Sequence, residues 1–165
     1  MEAAAWGLLG TLVGAMASIA TAWMASRSSN RIQSEKHAEE RAERAKEFQR
    51  ETLLALQEAI HDALRLNARA HFEDVASFRK TGRWGRELLS DEVNDGLILS
   101  RRKVAILIER VVDASLRTDV KSLMRVAAKG GFAQSEQEAE MNLFELSERM
   151  TPLLENIGSV LRSHY

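Results

Sequence analysis

Apolar and polar positions divide the chain into three stretches. Residues 3–25 carry no charged side chain, about half of residues 27–51 are charged, and apolar positions return at helical spacing beyond them. The first stretch is long enough for a transmembrane helix, because about 20 helical residues cross a hydrocarbon core of about 30 Å. Trp6 and Trp23 flank it, as suits indole rings at membrane interfaces. Leu8, Leu9, Leu12, Met16, Ile19 and Trp23 form a bulky face, and Gly7, Gly10, Gly14, Ser18, Thr21 and Ala25 form a small one. Gly10, Gly14, Ser18 and Ala22 follow in four-residue steps, and such small residues let helices pack closely in lipid. Helix packing within the membrane is therefore expected at Gly7, Gly10, Gly14 and Ser18. The only early side-chain charge is Glu2, so the segment lacks the positive start of a cleaved signal peptide.

The second stretch reads as a charged juxtamembrane helix. Glu40 and Arg44 stand at i,i+4, and Glu43 and Lys46 at i,i+3. Ile32, Ala38, Ala42 and Ala45 could share one coiled-coil-like side, and 27–30 is a weak helical stretch where the chain can bend. Beyond Phe48, the residues Leu53, Leu56, Ile60, Leu64, Asn67, His71, Val75 and Phe78 recur in steps of three and four. That eleven-residue rhythm predicts a nearly straight helix, ending near Thr81 and Gly82.

Three further helices are expected. One opens at Ser90 with Asp91 and Glu92 in its first turn; its apolar residues wrap most of the circumference, which predicts the central, most buried helix, with Val104, Leu107, Ile108 and Val111 at the centre of the core. A break is expected over 117–119, with Thr118 or Asp119 capping a short helix that Lys129, Gly130 and Gly131 terminate. The last helix starts at Ser135, with Glu138 completing a capping box, and its apolar face runs through Met141, Phe144, Leu146 or Ser147, Met150, Leu153, Ile157 and Val160 with Leu161. Pro152 either kinks this helix or begins a new one after Thr151. The fold class is thus all-α: an N-terminal transmembrane helix (1–26), a charged stalk (27–51) and a small antiparallel helical bundle (52–165).

Charge adds orientation. Arg27, Arg31 and Lys36 follow the apolar stretch and no Lys or Arg precedes it, which predicts an N-terminus outside and a cytoplasmic C-terminal domain at the inner membrane. The chain has 23 basic and 24 acidic residues, without the basic excess of a nucleic-acid binder. It has no cysteine, which excludes disulfides and thiolate metal sites.

Candidate chemistry is sparse. Glu58 and His61 match the Glu-x-x-His spacing of di-iron bundles, with Glu109 as a bridging carboxylate, but one pair falls short of a ligand set. His71 and Asn67 lie on the apolar face of the first long helix. Arg79, Lys80, Arg83 and Arg86 surround Trp84, a cluster suited to an anion or partner contact. Arg101, Arg102 and Lys103 read as part of a solvent stripe. No phosphate loop, nucleotide-binding glycine pattern or nucleophile arrangement is present, so no catalytic, cofactor or metal residues are assigned and no enzymatic activity is expected.

The stretches 50–57 (Arg-Glu-Thr-Leu-Leu-Ala-Leu-Gln) and 110–117 (Arg-Val-Val-Asp-Ala-Ser-Leu-Arg), with this layout, resemble a group of bacterial, often actinobacterial, single-pass membrane proteins. That resemblance implies a bacterial origin and carries no activity. The pattern as a whole predicts a membrane-tethered helical scaffold with lipid, a second copy of itself and a cytoplasmic protein as partners. Its oligomer interface would be Leu53, Leu56, Ile60 and Leu64. A membrane-active effector, such as a holin-like pore former or an anti-phage defence subunit, is the alternative.

Overall fold

A computed structural model describes the backbone of residues 2–85 and 87–165, and the side chains of Gly14, Met16, Ser18, 21–24, 26, 27, 33–85 and 87–165. Among the described residues the helices are α1 (Glu2–Thr81), α2 (Asp91–Ile108), α3 (Ala114–Gly130) and α4 (Glu136–Arg162). Two units divide it, Met1–Ala45 and Lys46–Tyr165.

The first unit corrects the membrane reading. Among the described residues no helix is long and apolar enough to cross a membrane. Several of the described side chains there, Gly14, Ser18, Thr21, Ala22 and Ser26, are small or hydroxylated and bring little apolar area for transfer into hydrocarbon. The remaining side chains of 3–25, those of Gly7 and Gly10 included, lie outside the described residues. The assignments built on a span fall with it: lipid as partner, single-pass topology, inner-membrane location, the tethered scaffold and the pore former. Gly14 and Ser18 are exposed, and the Ser18 hydroxyl donates to the Gly14 carbonyl at 2.8 Å. The bend expected at 27–30 is absent from the backbone, where α1 continues without a break.

The second unit is an antiparallel bundle of the distal part of α1 with α2, α3 and α4. Cross-helix pairs establish the directions. Glu58 meets Lys103 and Arg69 meets Glu92 between α1 and α2, while Ser122 meets Arg149 and Asp119 meets Asn156 between α3 and α4. At the chain's end Arg50 stacks over the Tyr165 ring at 5.1 Å, which returns the C-terminus to α1.

The core joins Leu53, Leu56, Ala59, Ile60 and Ala63 of α1 to Val104, Leu107 and Ile108 of α2, Leu116, Val120 and Leu123 of α3, and Leu146, Leu153 and Ile157 of α4. The predicted centre on α2 and the following turn is buried, whereas Ile98, Leu99, Ile106 and Val112 are exposed, so α2 buries one stripe and not its circumference. A smaller cluster, Ala70, Val93 and Leu97, closes the far end. There Gly96 lets α1 and α2 approach closely, since a Cβ at that position would meet Leu66 Cδ2 at 3.0 Å.

Helix ends follow local chemistry at Gly82 and Ser135, Ser90 makes no side-chain capping bond at the start of α2, and one turn departs from the expected cap position. Gly82 adopts φ 67° and its N–H donates to the Phe78 carbonyl at 2.8 Å, the left-handed stop that glycine makes without a Cβ penalty. Ser135 accepts from the Glu138 N–H, and the Glu138 carboxylate accepts from the Gln134 N–H, so the capping box reaches one residue further back than its usual form. That turn lies between α2 and α3. Asp113 is the cap, its Oδ1 accepting from the Leu116 N–H at 2.7 Å, and 117–119 lie inside α3. Gln49 explains the shift: its Nε2 donates to the Arg110 carbonyl at 2.9 Å and its Oε1 accepts from the Val112 N–H at 3.1 Å. Arg117 then donates to the Val111 and Val112 carbonyls. At the other end of α3, Gly131 keeps right-handed backbone angles and is no left-handed cap. Helix α4 passes through Pro152 without ending, with Ala139, Leu146, Leu153 and Ile157 buried and the expected Met141 and Phe144 exposed.

Candidate functional site

The sequence-predicted residues scatter. Leu53, Leu56 and Ile60 are 0% exposed and Leu64 packs against them, so the face expected to bind a second copy is occupied by the chain's own helices. Glu58 pairs with Lys103 at 3.6 Å, and His61 is exposed. Glu109 meets Lys121 at 2.9 Å, and that hydrogen-bonded ammonium holds its carboxyl below the usual range. Among the described residues no group of three or more His, Cys, Asp or Glu side chains could hold a metal ion. The basic cluster separates. Arg79 and Lys80 are exposed in the last turn of α1, where cations offset the negative end of the helix. Arg83 is exposed, and Arg86 lies outside the described residues. Trp84 turns inward instead, edge-on to Phe78 at 5.9 Å and tilted against His71 at 6.1 Å.

That inward turn forms one wall of a cleft of about 390 Å³ inside the second unit. Asn67, His71 and Asp74 line it from α1, Asp91 and Arg101 from α2, Gly130 from α3 and Leu146 from α4. Beside it two carboxylates join α2 to α1. Glu73 accepts from both the backbone N–H and the hydroxyl of Ser90, and Glu92 receives Arg69 in a two-pronged pair at 2.8 and 3.1 Å. The hydrogen bonds from Arg69 hold the Glu92 carboxyl below its ordinary range. These contacts tie Ser90 and the first turn of α2 to α1, on either side of Asp91, which lines the cleft.

Arg101 is the least satisfied group in the cleft. It is half-buried, and among the described residues it has no carboxylate partner. Its Nη2 reaches Asn67 Oδ1 only at 3.4 Å, and its Nε is buried with no hydrogen-bond partner. Asn67 is itself held, donating to the Ala63 carbonyl at 2.7 Å, which leaves its oxygen toward the guanidinium. Burial pushes the Arg101 guanidinium below its ordinary value, yet an arginine so shifted keeps its charge. A half-buried cation with spare donors favours an acceptor that replaces the water it has lost.

Comparison with family models, curated proteins and solved structures finds no match. The resemblance at 50–57 and 110–117 gains no support there, and in the structure those stretches are part of the core of α1 and the capped turn into α3.

Sequence reasoning passed over two of these residues. The basic run predicts a solvent stripe for Arg101, Arg102 and Lys103, and the last two are exposed while Arg101 is half-buried. Its spacing carried the signal, since Arg101 lies four residues after buried Leu97 and three before buried Val104. Asp74 carried a similar one, seven residues after Asn67 on the same helix face.

Proposed function

We propose that the bundle Lys46–Tyr165 is a ligand-binding module whose cleft takes a small organic carboxylate. The observation that carries this reading is Arg101, a half-buried guanidinium without an acidic partner, lining a cleft of about 390 Å³. Small-molecule sites typically have volumes of about 300–1,000 Å³, apolar walls and a few converging polar groups. Here Trp84, Leu97 and Leu146 supply the walls. A planar carboxylate suits a guanidinium because two parallel N–H donors meet its two oxygens. Asn67 faces the guanidinium with its oxygen, and the Glu73–Ser90 and Arg69–Glu92 contacts hold the start of α2 against α1.

The test is a thermal-shift and calorimetric screen of the chain against aromatic and aliphatic carboxylates, their neutral amides and inorganic phosphate. Carboxylates are expected to bind and amides to fail. Arg101→Met, which keeps the stem and removes the charge, is expected to weaken carboxylate binding at least tenfold, as follows from about 1.4 kcal/mol or more for a charge-assisted pair. Equal binding by Arg101→Met, or no response to any carboxylate, would overturn the reading. Preference for phosphate would change the ligand class.

A further inference from the structure

Charges of both signs line the cleft: Arg101 of α2 on one side of the balance, and Asp74 of α1, Glu87 of the turn and Asp91 in the first turn of α2 on the other. Arg101 meets Asn67, seven residues before Asp74 on α1, and stands ten residues after Asp91 on α2, so helix spacing sets the two signs apart. We infer that the ligand is a linear zwitterion of short-peptide length, its carboxylate on Arg101 and its ammonium among Asp74, Glu87 and Asp91 beside Trp84. This rests on the carboxylate reading and adds the second charge and the length.

The spacing sets that length. Asn67, which touches Arg101, and Asp74 are seven residues apart on α1, about 10 Å along a helix at 1.5 Å per residue. On α2, Asp91 and Arg101 are ten residues apart, about 15 Å by the same measure. An extended chain covers about 3.3–3.6 Å per residue, so three or four residues with free termini bridge the two ends.

The acidic end has spare acceptors. Among the described residues Asp74 makes no hydrogen bond or ion pair, although it is half-buried, and the basic group acting on its charge is His71, one turn earlier on α1. Its neighbour Glu73 is committed to Ser90 and Arg69. His71, the other titratable group on this face, packs on Trp84. An ammonium would meet carboxylates and the face of an indole together, both of which attract a cation. Between the two ends the wall is Ala70, Leu97 and Leu146, which asks for apolar or small side chains in the middle of the ligand.

The test uses the peptide Ala-Leu-Ala in three forms, free, N-acetylated and C-amidated, titrated calorimetrically into the chain. The free form is expected to bind at least tenfold more tightly than either blocked form. Asp74→Asn should erase the difference between free and acetylated peptide while leaving the amidated form disfavoured. Arg101→Met should do the reverse. Circular dichroism confirms that both variants fold, and Arg101→Lys is the second variant at that end, expected to bind better than Arg101→Met. Acetylated peptide binding as tightly as free peptide to the parent chain would overturn the zwitterion assignment and leave the carboxylate reading standing. No binding by any of the three, with simple carboxylates still bound, would have the same meaning. Amidated peptide binding as well as free peptide would remove both.

Discussion

Gln49 shows how one side chain can place a helix boundary. Both ends of its amide are committed to the turn between α2 and α3, one to the Arg110 carbonyl and one to the Val112 N–H. Gln49→Leu leaves two backbone groups without these part-buried partners, and a lost hydrogen bond of this kind costs about 0.5–1.5 kcal/mol. We expect urea denaturation to show a loss of that size, and a change under about 0.5 kcal/mol, the scale of surface substitutions, would mean that water replaces the amide fully. Asp74 has the opposite energetics. Desolvation pushes its carboxyl above the ordinary value of 3.8, with nearby His71 opposing the shift and Glu73 adding to it. The folded state therefore holds this proton more tightly than the unfolded state. The stability linked to it is fully present below the unfolded pKa and is lost as pH rises through the folded one. Asp74→Asn avoids that loss, so thermal midpoints should favour the variant at neutral pH and converge with the parent in acid. A difference independent of pH would show that the carboxylate is not desolvated.

At the scale of the element, α2 tests how a helix rich in apolar residues chooses the face it buries. Leu107 is 7% exposed and Ile106 is 47% exposed, although the two are neighbours of similar size. Leu107→Ala should cost about 2–5 kcal/mol through lost contacts and the cavity left behind. Ile106→Ala should stay within about 0.5 kcal/mol. Equal losses at both positions, measured by the same denaturation, would mean that α2 is buried all round, as its composition suggests when read alone. The same lesson holds on α4. Met141 and Phe144 continue an apolar pattern yet stand in solvent, and Leu146, Leu153 and Ile157 take the core. A run of apolar residues permits several stripes, and the neighbouring helices select one.

For the second unit, the decisive fact is that the α1 face through Leu53, Leu56 and Ile60 is covered by the helices that follow it in the same chain. Leu53, Leu56 and Ile60 read as a face in search of a partner, and the bundle itself is that partner. Leu56→Glu is therefore expected to unfold the bundle, because a charge at a site with 0% exposure has no compensating group. Circular dichroism with sedimentation would distinguish this from dissociation. A folded Leu56→Glu monomer formed from a larger parent species would show instead that this face joins two copies.

The sequence alone determined what depends on neighbours a few residues away. Helical character follows from three- and four-residue spacing. The stop at Gly82 follows from glycine's access to positive φ, and the start of α4 from the reach of Ser135 and Glu138 to adjacent backbone groups. Burial of Val104, Leu107, Ile108 and Val111 was legible because a continuous apolar stretch must hide at least one stripe. Tertiary structure decided the rest. Between Asp113 and the equally suitable Thr118 and Asp119, the cap was chosen by Gln49, which is 61 and 63 positions from the groups it binds. Arg101 became a site residue only when α1 packed beside it, bringing Asn67 to its guanidinium and burying its Nε. Those outcomes depend on which surfaces meet, and local spacing holds no record of that.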